Sequence, residues 1–171
     1  MVVHKLRSLA EAATAGYSPQ QELPLATYAG MTGVFLAGFG GSLLVIRLAG
    51  KELPERIAAA DLVLLGLATH KLSRVVAKDK VTSFLRAPFT RFAGPAGQGE
   101  LAEEPRGEGV QLAVGELLAC PYCLAQWVAA SFVVALLAAP RLTRLIASIY
   151  AAQTMSDFMQ LVYLFAKESA P

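Results

Sequence analysis

Charge is scarce in this chain: Asp, Glu, Lys and Arg make up 16% of its 171 residues, against about 25% in soluble domains. Cysteine occurs twice, histidine twice and tryptophan once. Two cysteines cannot build a disulfide framework, nor the second pair that a membrane electron relay usually needs. They supply half of a four-ligand zinc site, which His70, His4, Asp79 or Glu116 would have to complete. With a net charge of +2 and no basic stripe interleaved with aromatics, nothing points to nucleic acid. Glu11, Glu22 and several polar side chains precede any apolar run, so the first 24 residues do not read as a cleaved signal peptide.

Apolar side chains are what the chain has in excess, at 55% of residues. A chain of this length cannot bury so much apolar surface in one water-soluble core. Residues 25–46 and 117–139 contain no charged side chain, and residues 145–166 contain one, Asp157. At 1.5 Å per residue each stretch reaches roughly 30 Å, the thickness of a hydrocarbon layer. Between the first two lies a weaker candidate from about Pro54 to Lys78, whose uncharged interior is only residues 62–69. Lys71 and Arg74 near its end can snorkel to the interface.

The predicted fold is therefore all-α: an integral membrane bundle of four transmembrane helices, with spans at about 25–48, 55–77, 117–139 and 141–166. Residues 1–24 form an N-terminal surface segment, in which Ser18-Pro19-Gln20-Gln21 has the composition of a helix start. The loop at 78–116 opens with an interfacial amphipathic segment carrying Arg86, Phe89, Arg91 and Phe92, bent at Pro88. Its second part, Gly94 to Gly109, is rich in Gly, Pro and Glu and reads as mobile. Lys and Arg number eight on the side of the termini and long loop and five on the other, which predicts that the loop is cytoplasmic. Gly33, Ala37 and Gly41 recur every four residues and make a face that another helix can approach closely, with Trp127 as a further packing residue.

Two features could carry chemistry. Cys120-Pro121-Tyr122-Cys123 sets a thiol at a helix start, where unpaired amides and the helix dipole lower its pKa. The four residues resemble the active site of glutaredoxins, yet no alternation of strands and helices follows them. Reactive thiols, a metal pair joined by His70, and two small side chains at a helix entry near Trp127 all fit the motif. A cytoplasmic position disfavours a structural disulfide. The second feature is an intramembrane polar network of His70, Lys71, Arg74, Gln153, Asp157 and Gln160. Asp157 needs a partner, which Arg74, His70 or Lys71 can provide. Such a network fixes helix packing or conducts protons. Asp61, about half a turn around its helix from His70, cannot join that cluster and instead caps the helix start or meets a different neighbour.

Arg74, Asp79, Leu85-Arg86-Ala87-Pro88-Phe89, Gly115-Glu116-Leu117-Leu118, the two cysteines, Trp127 and Asp157 together resemble a family of small bacterial membrane proteins classed as a domain of unknown function. The likeness runs from about Asp61 to Tyr163 and leaves the first helix outside. Ala125 stands where that pattern has Gly. The resemblance implies a bacterial inner-membrane location and supplies no activity. The functional expectation is a non-enzymatic scaffold or accessory subunit without a cofactor, embedded in lipid and self-associating. A thiol-redox or metal-dependent protein using the cysteine pair, and a proton-coupled transporter using Asp157, are the alternatives.

Overall fold

The computed structural model describes Tyr17 and residues 23–169; the N-terminal surface segment and the helix start at Ser18-Pro19 lie almost wholly outside the described residues. Among the described residues the chain forms six α-helices and a two-stranded sheet. We label these α1 (Leu25–Leu48), α2 (Ala59–Ala77), α3 (Ser83–Arg86), β1 (Thr90–Gly97), β2 (Glu100–Pro105), α4 (Gly109–Ala119), α5 (Pro121–Ala138) and α6 (Pro140–Glu168). The protein is thus mostly helical but not all-α. On length and composition alone α1 and α5 could cross a membrane. Helices α2 and α6 carry Asp61, Lys71 and Arg74, and Arg144 and Asp157, respectively, which dilutes their apolar character.

Helix pairing follows from side chains at successive levels. Arg144 meets Asp61, Thr154 Oγ1 donates to the Leu67 carbonyl at 2.7 Å, and Lys71 meets Asp157, so α2 and α6 run in the same direction. Ala68 and Ala147 are fully buried and, with no side chain beyond Cβ, let these two backbones approach closely. Leu65, Phe132 and Leu136 complete the core against α5. Helices α5 and α6 form a hairpin through Ala139, with Pro140 as the first residue of α6 and Thr143 Oγ1 donating to the Ala139 carbonyl at 2.9 Å.

Helix α1 lies alongside α5 in the same direction. Tyr28 donates to Glu116, Phe35 meets Trp127 edge-on at 5.1 Å, and the Lys51 ammonium donates to the Ala138 carbonyl at the C-terminus of α5. Among the described residues nothing packs on the small-residue face. A Cβ added at Gly33 or Gly41 would meet nothing within 4 Å, and Ala37 is exposed.

The long connection departs most from the expectation. Residues 94–109 form much of a folded hairpin and the start of α4 in place of a mobile loop. Gln98 and Gly99 both have positive φ, at 35° and 85°, the pattern of the two-residue turn that matches strand twist. The turn folds back onto the end of α2: Lys80 N–H donates to the Gly99 carbonyl at 2.9 Å and Leu101 N–H to the Lys78 carbonyl at 2.8 Å. The segment read as amphipathic takes the form of a 3-10 turn, Lys80–Thr82, the four-residue α3 and then a strand. Helix α5 starts at Pro121, because proline lacks the N–H that would continue α4 into it.

Candidate functional site

Two constructions are candidates: a charged cap on the C-terminal end of α2, and a cleft beside the cysteine pair. The cap begins with the carbonyls that any helix leaves unpaired in its last turn. Arg74 O accepts from Lys78 N–H at 2.7 Å, Val75 O from the Thr82 hydroxyl, and Val76 O from Arg86 Nη1 at 2.6 Å. Arg86 also donates to Thr82 Oγ1 at 2.9 Å, to the Asp79 carbonyl at 3.0 Å and to the Glu103 carboxylate. Its side chain is 0% exposed. Arg86 is the buried keystone of the cap, because four separate acceptors converge where its guanidinium sits. Arg91 and Phe92 are exposed on β1 and Phe89 is partly buried.

The hairpin supplies the acids. Glu100 takes Arg74 in a forked contact, with Nη2 at 2.7 Å from both carboxylate oxygens and Nε at 3.1 Å from one. Glu103 takes Arg86. Neither acid could be matched to its base from sequence, since both sit in a Gly-rich stretch far along the chain; the only hint was an unbalanced Arg74 and Arg86.

The predicted polar network divides. Lys71 Nζ lies 2.7 Å from Asp157 Oδ2. Arg74 goes to Glu100, and His70 stacks on Phe158 with ring centroids 5.8 Å apart. Gln153 is exposed, and Gln160 reaches only Ser156 at 3.4 Å. At the far end Asp61 accepts two bonds from Arg144, each 2.8 Å. Asp79, just past the C-terminal end of α2, feels Lys71, Glu100, Asp157 and Arg86. Burial pushes its carboxyl above the ordinary carboxylate range, the Lys71 ammonium pulls it down, Glu100 and Asp157 push it up and Arg86 pulls it down.

Cys120 is the N-cap of α5 with Pro121 as first helical residue, and its Sγ accepts the Cys123 N–H at 3.2 Å. The two cysteines are joined as a disulfide, so the free thiols considered as metal ligands are not present in this state. Among the described residues no three His, Cys, Asp or Glu side chains are grouped to hold a metal; His4 lies outside them. Cys123 lines a cleft of about 460 Å³ between α1, α4 and α5, whose walls include Phe35, Leu117 and Trp127 and whose polar groups include Tyr28, Glu116 and Gln126.

Neither a curated protein nor a solved structure matches the chain. A family model described as "Protein of unknown function (DUF1360)" matches residues 64–163, which takes in the core of α2, the whole cap, the disulfide and most of α6 while leaving out α1. With more than half of its length matched, the chain belongs to this family of unknown function, DUF1360.

Proposed function

We propose that the protein is a non-enzymatic subunit of the bacterial inner membrane, crossing the bilayer four times through α1, α2, α5 and α6 and self-associating through α1. The observation that carries this reading is the exposure of apolar side chains. Val34, Leu36, Leu44 and Val45 on α1 and Met159 and Phe165 on α6 are all more than half exposed. In water such faces would far exceed the few hundred Å² of contiguous apolar surface that monomers tolerate. Lipid as solvent removes the difficulty. The charges Asp61 and Lys71 of α2 are compatible with crossing because Asp61 is held by Arg144 and Lys71 by Asp157, so each has its counter-charge beside it.

The open Gly33, Ala37 and Gly41 face supports α1 as the element that meets another chain, since small residues allow backbones to approach where no hydrophobic force drives helices together. Its occupant on this reading is α1 of a second copy. Lys and Arg of the cap support its placement in the cytoplasm. The test is extraction and mass. Membranes washed in alkaline carbonate are expected to retain the protein and mild detergent to release it as an oligomer. Release by carbonate contradicts the membrane reading, and a strictly monomeric mass both in detergent and after cross-linking in native membranes contradicts the self-association.

A further inference from the structure

We propose that the Cys120–Cys123 disulfide is a thiol-exchange site, and that the cleft beside it admits a thiol carried on an apolar, uncharged group. The inference gives the membrane subunit a redox role in place of a non-enzymatic one, leaves its self-association untouched, and does not depend on how many helices cross.

A structural role suits this disulfide poorly. It joins residues only three apart, the shared cap residue between α4 and α5 and the third residue of α5, and the start of α5 is already set by Pro121. Its two sulfurs are also unequal. Cys123 lines the cleft, while Cys120 caps α5 and accepts the Cys123 N–H at 3.2 Å. A thiolate entering the cleft therefore meets Cys123 Sγ first. Attack there forms a mixed disulfide and expels Cys120 as a thiolate, the better leaving group because an amide donor and the positive end of the α5 dipole face it.

A second thiolate then attacks the substrate sulfur of the mixed disulfide and expels Cys123. Two substrate thiols are oxidised to one substrate disulfide and the protein pair is reduced to a dithiol. Two protons leave the substrates to water, and two return to the cysteines as they protonate. The reverse sequence reoxidises the pair with an apolar disulfide as oxidant.

The walls set the class of thiol. Phe35, Leu117 and Trp127 offer an apolar surface with an aromatic pair already fixed edge-to-face. Glu116 lines the same cleft and places a carboxylate against any anionic thiol. Benzyl mercaptan, neutral and apolar, and mercaptoethanesulfonate, anionic and hydrophilic, are suitable probes.

The experiment follows reduction of the oxidised full-length protein in mild detergent by each probe at equal thiolate concentration, read by alkylation and mass. Benzyl mercaptan is expected to react about tenfold faster, the scale of one well-placed aromatic contact. Trp127→Leu should narrow that ratio. Glu116→Gln, which can still accept from Tyr28, should speed mercaptoethanesulfonate, a dianion as its thiolate, more than benzyl mercaptan, a monoanion as its thiolate, and so narrow the ratio by a gain in rate that misfolding would not produce. The reduced protein should alkylate first at Cys120. Equal rates for the two probes in the wild type and both variants, or a disulfide that neither reduces until the protein is denatured, would overturn the proposal.

Discussion

Arg86→Ala is expected to destabilise the fold by about 3–5 kcal/mol, the largest effect of any single substitution in the cap. The guanidinium is completely buried, and its removal leaves the Glu103 carboxylate, itself 6% exposed, without a counter-charge. It also strips a donor from the carbonyls of Val76 and Asp79 at the end of α2. Lysine keeps the charge but cannot fork between Glu103 on one side and the helix carbonyls on the other, so Arg86→Lys should recover only part of the loss. Replacing Arg86 and Glu103 together by Met removes both buried charges and should cost much less than Arg86→Ala alone. Thermal unfolding in detergent, followed by circular dichroism, ranks the three. A double variant as unstable as Arg86→Ala would mean that the pair is not the coupled unit described.

Gly115→Ala should destabilise by about 1–3 kcal/mol, although alanine is the better helix former by about 1 kcal/mol. A Cβ at this position would lie 2.5 Å from the Phe89 carbonyl oxygen, 3.2 Å from Pro105 Cβ and 3.3 Å from Pro105 Cα. These atoms belong to backbone or to a rigid ring, so α4 must back away from the base of the hairpin, where Arg106 N–H donates to the Phe89 carbonyl at 2.9 Å. The control is Gly66→Ala in the middle of α2, where a Cβ meets nothing within 4 Å. There the same change should be neutral or stabilising. The thermal midpoint should fall for Gly115→Ala and stay or rise for Gly66→Ala, each compared with the wild type. Stabilisation by Gly115→Ala would contradict the close docking of α4.

The long helices were legible because their signal is local. An uncharged apolar run as long as residues 25–46 reads as a single helix, and Pro140 after Ala139 marks the junction of α5 and α6. The cap was not legible, for two physical reasons. Gly97, Gln98 and Gly99 can be the tight turn of a hairpin or part of a mobile linker, and composition alone reads them as linker. What decides is a pair of ionic contacts, Arg74 with Glu100 and Arg86 with Glu103, that span 26 and 17 residues. No periodicity encodes contacts of that range.

The start of α2 shows the same limit from the other side. Pro54 reads as a first helical residue, yet the helix begins at Ala59 with Ala58 as its N-cap. Asp61 in that first turn serves as the partner of Arg144 in α6. Tyr28 and Phe35, which line the cleft beside the disulfide, look in the sequence like any other residues of an apolar helix. Their roles depend on α1 lying along α5, which sequence spacing does not reveal.

Sidedness tests the central claim most directly. In a Cys120→Ser, Cys123→Ser background, Glu104→Cys reports on the hairpin and Glu52→Cys on the connection between α1 and α2. Both positions are exposed, and neither change alters the Lys and Arg distribution that governs orientation. With a membrane-impermeant maleimide, the Glu52 position should label in cells whose inner membrane is intact, and the Glu104 position only after that membrane is permeabilised. Labelling of both positions from the same side, or recovery of the protein in the soluble fraction with neither labelled before lysis, would contradict a bundle that holds its cap and its opposite turn on two sides of a bilayer.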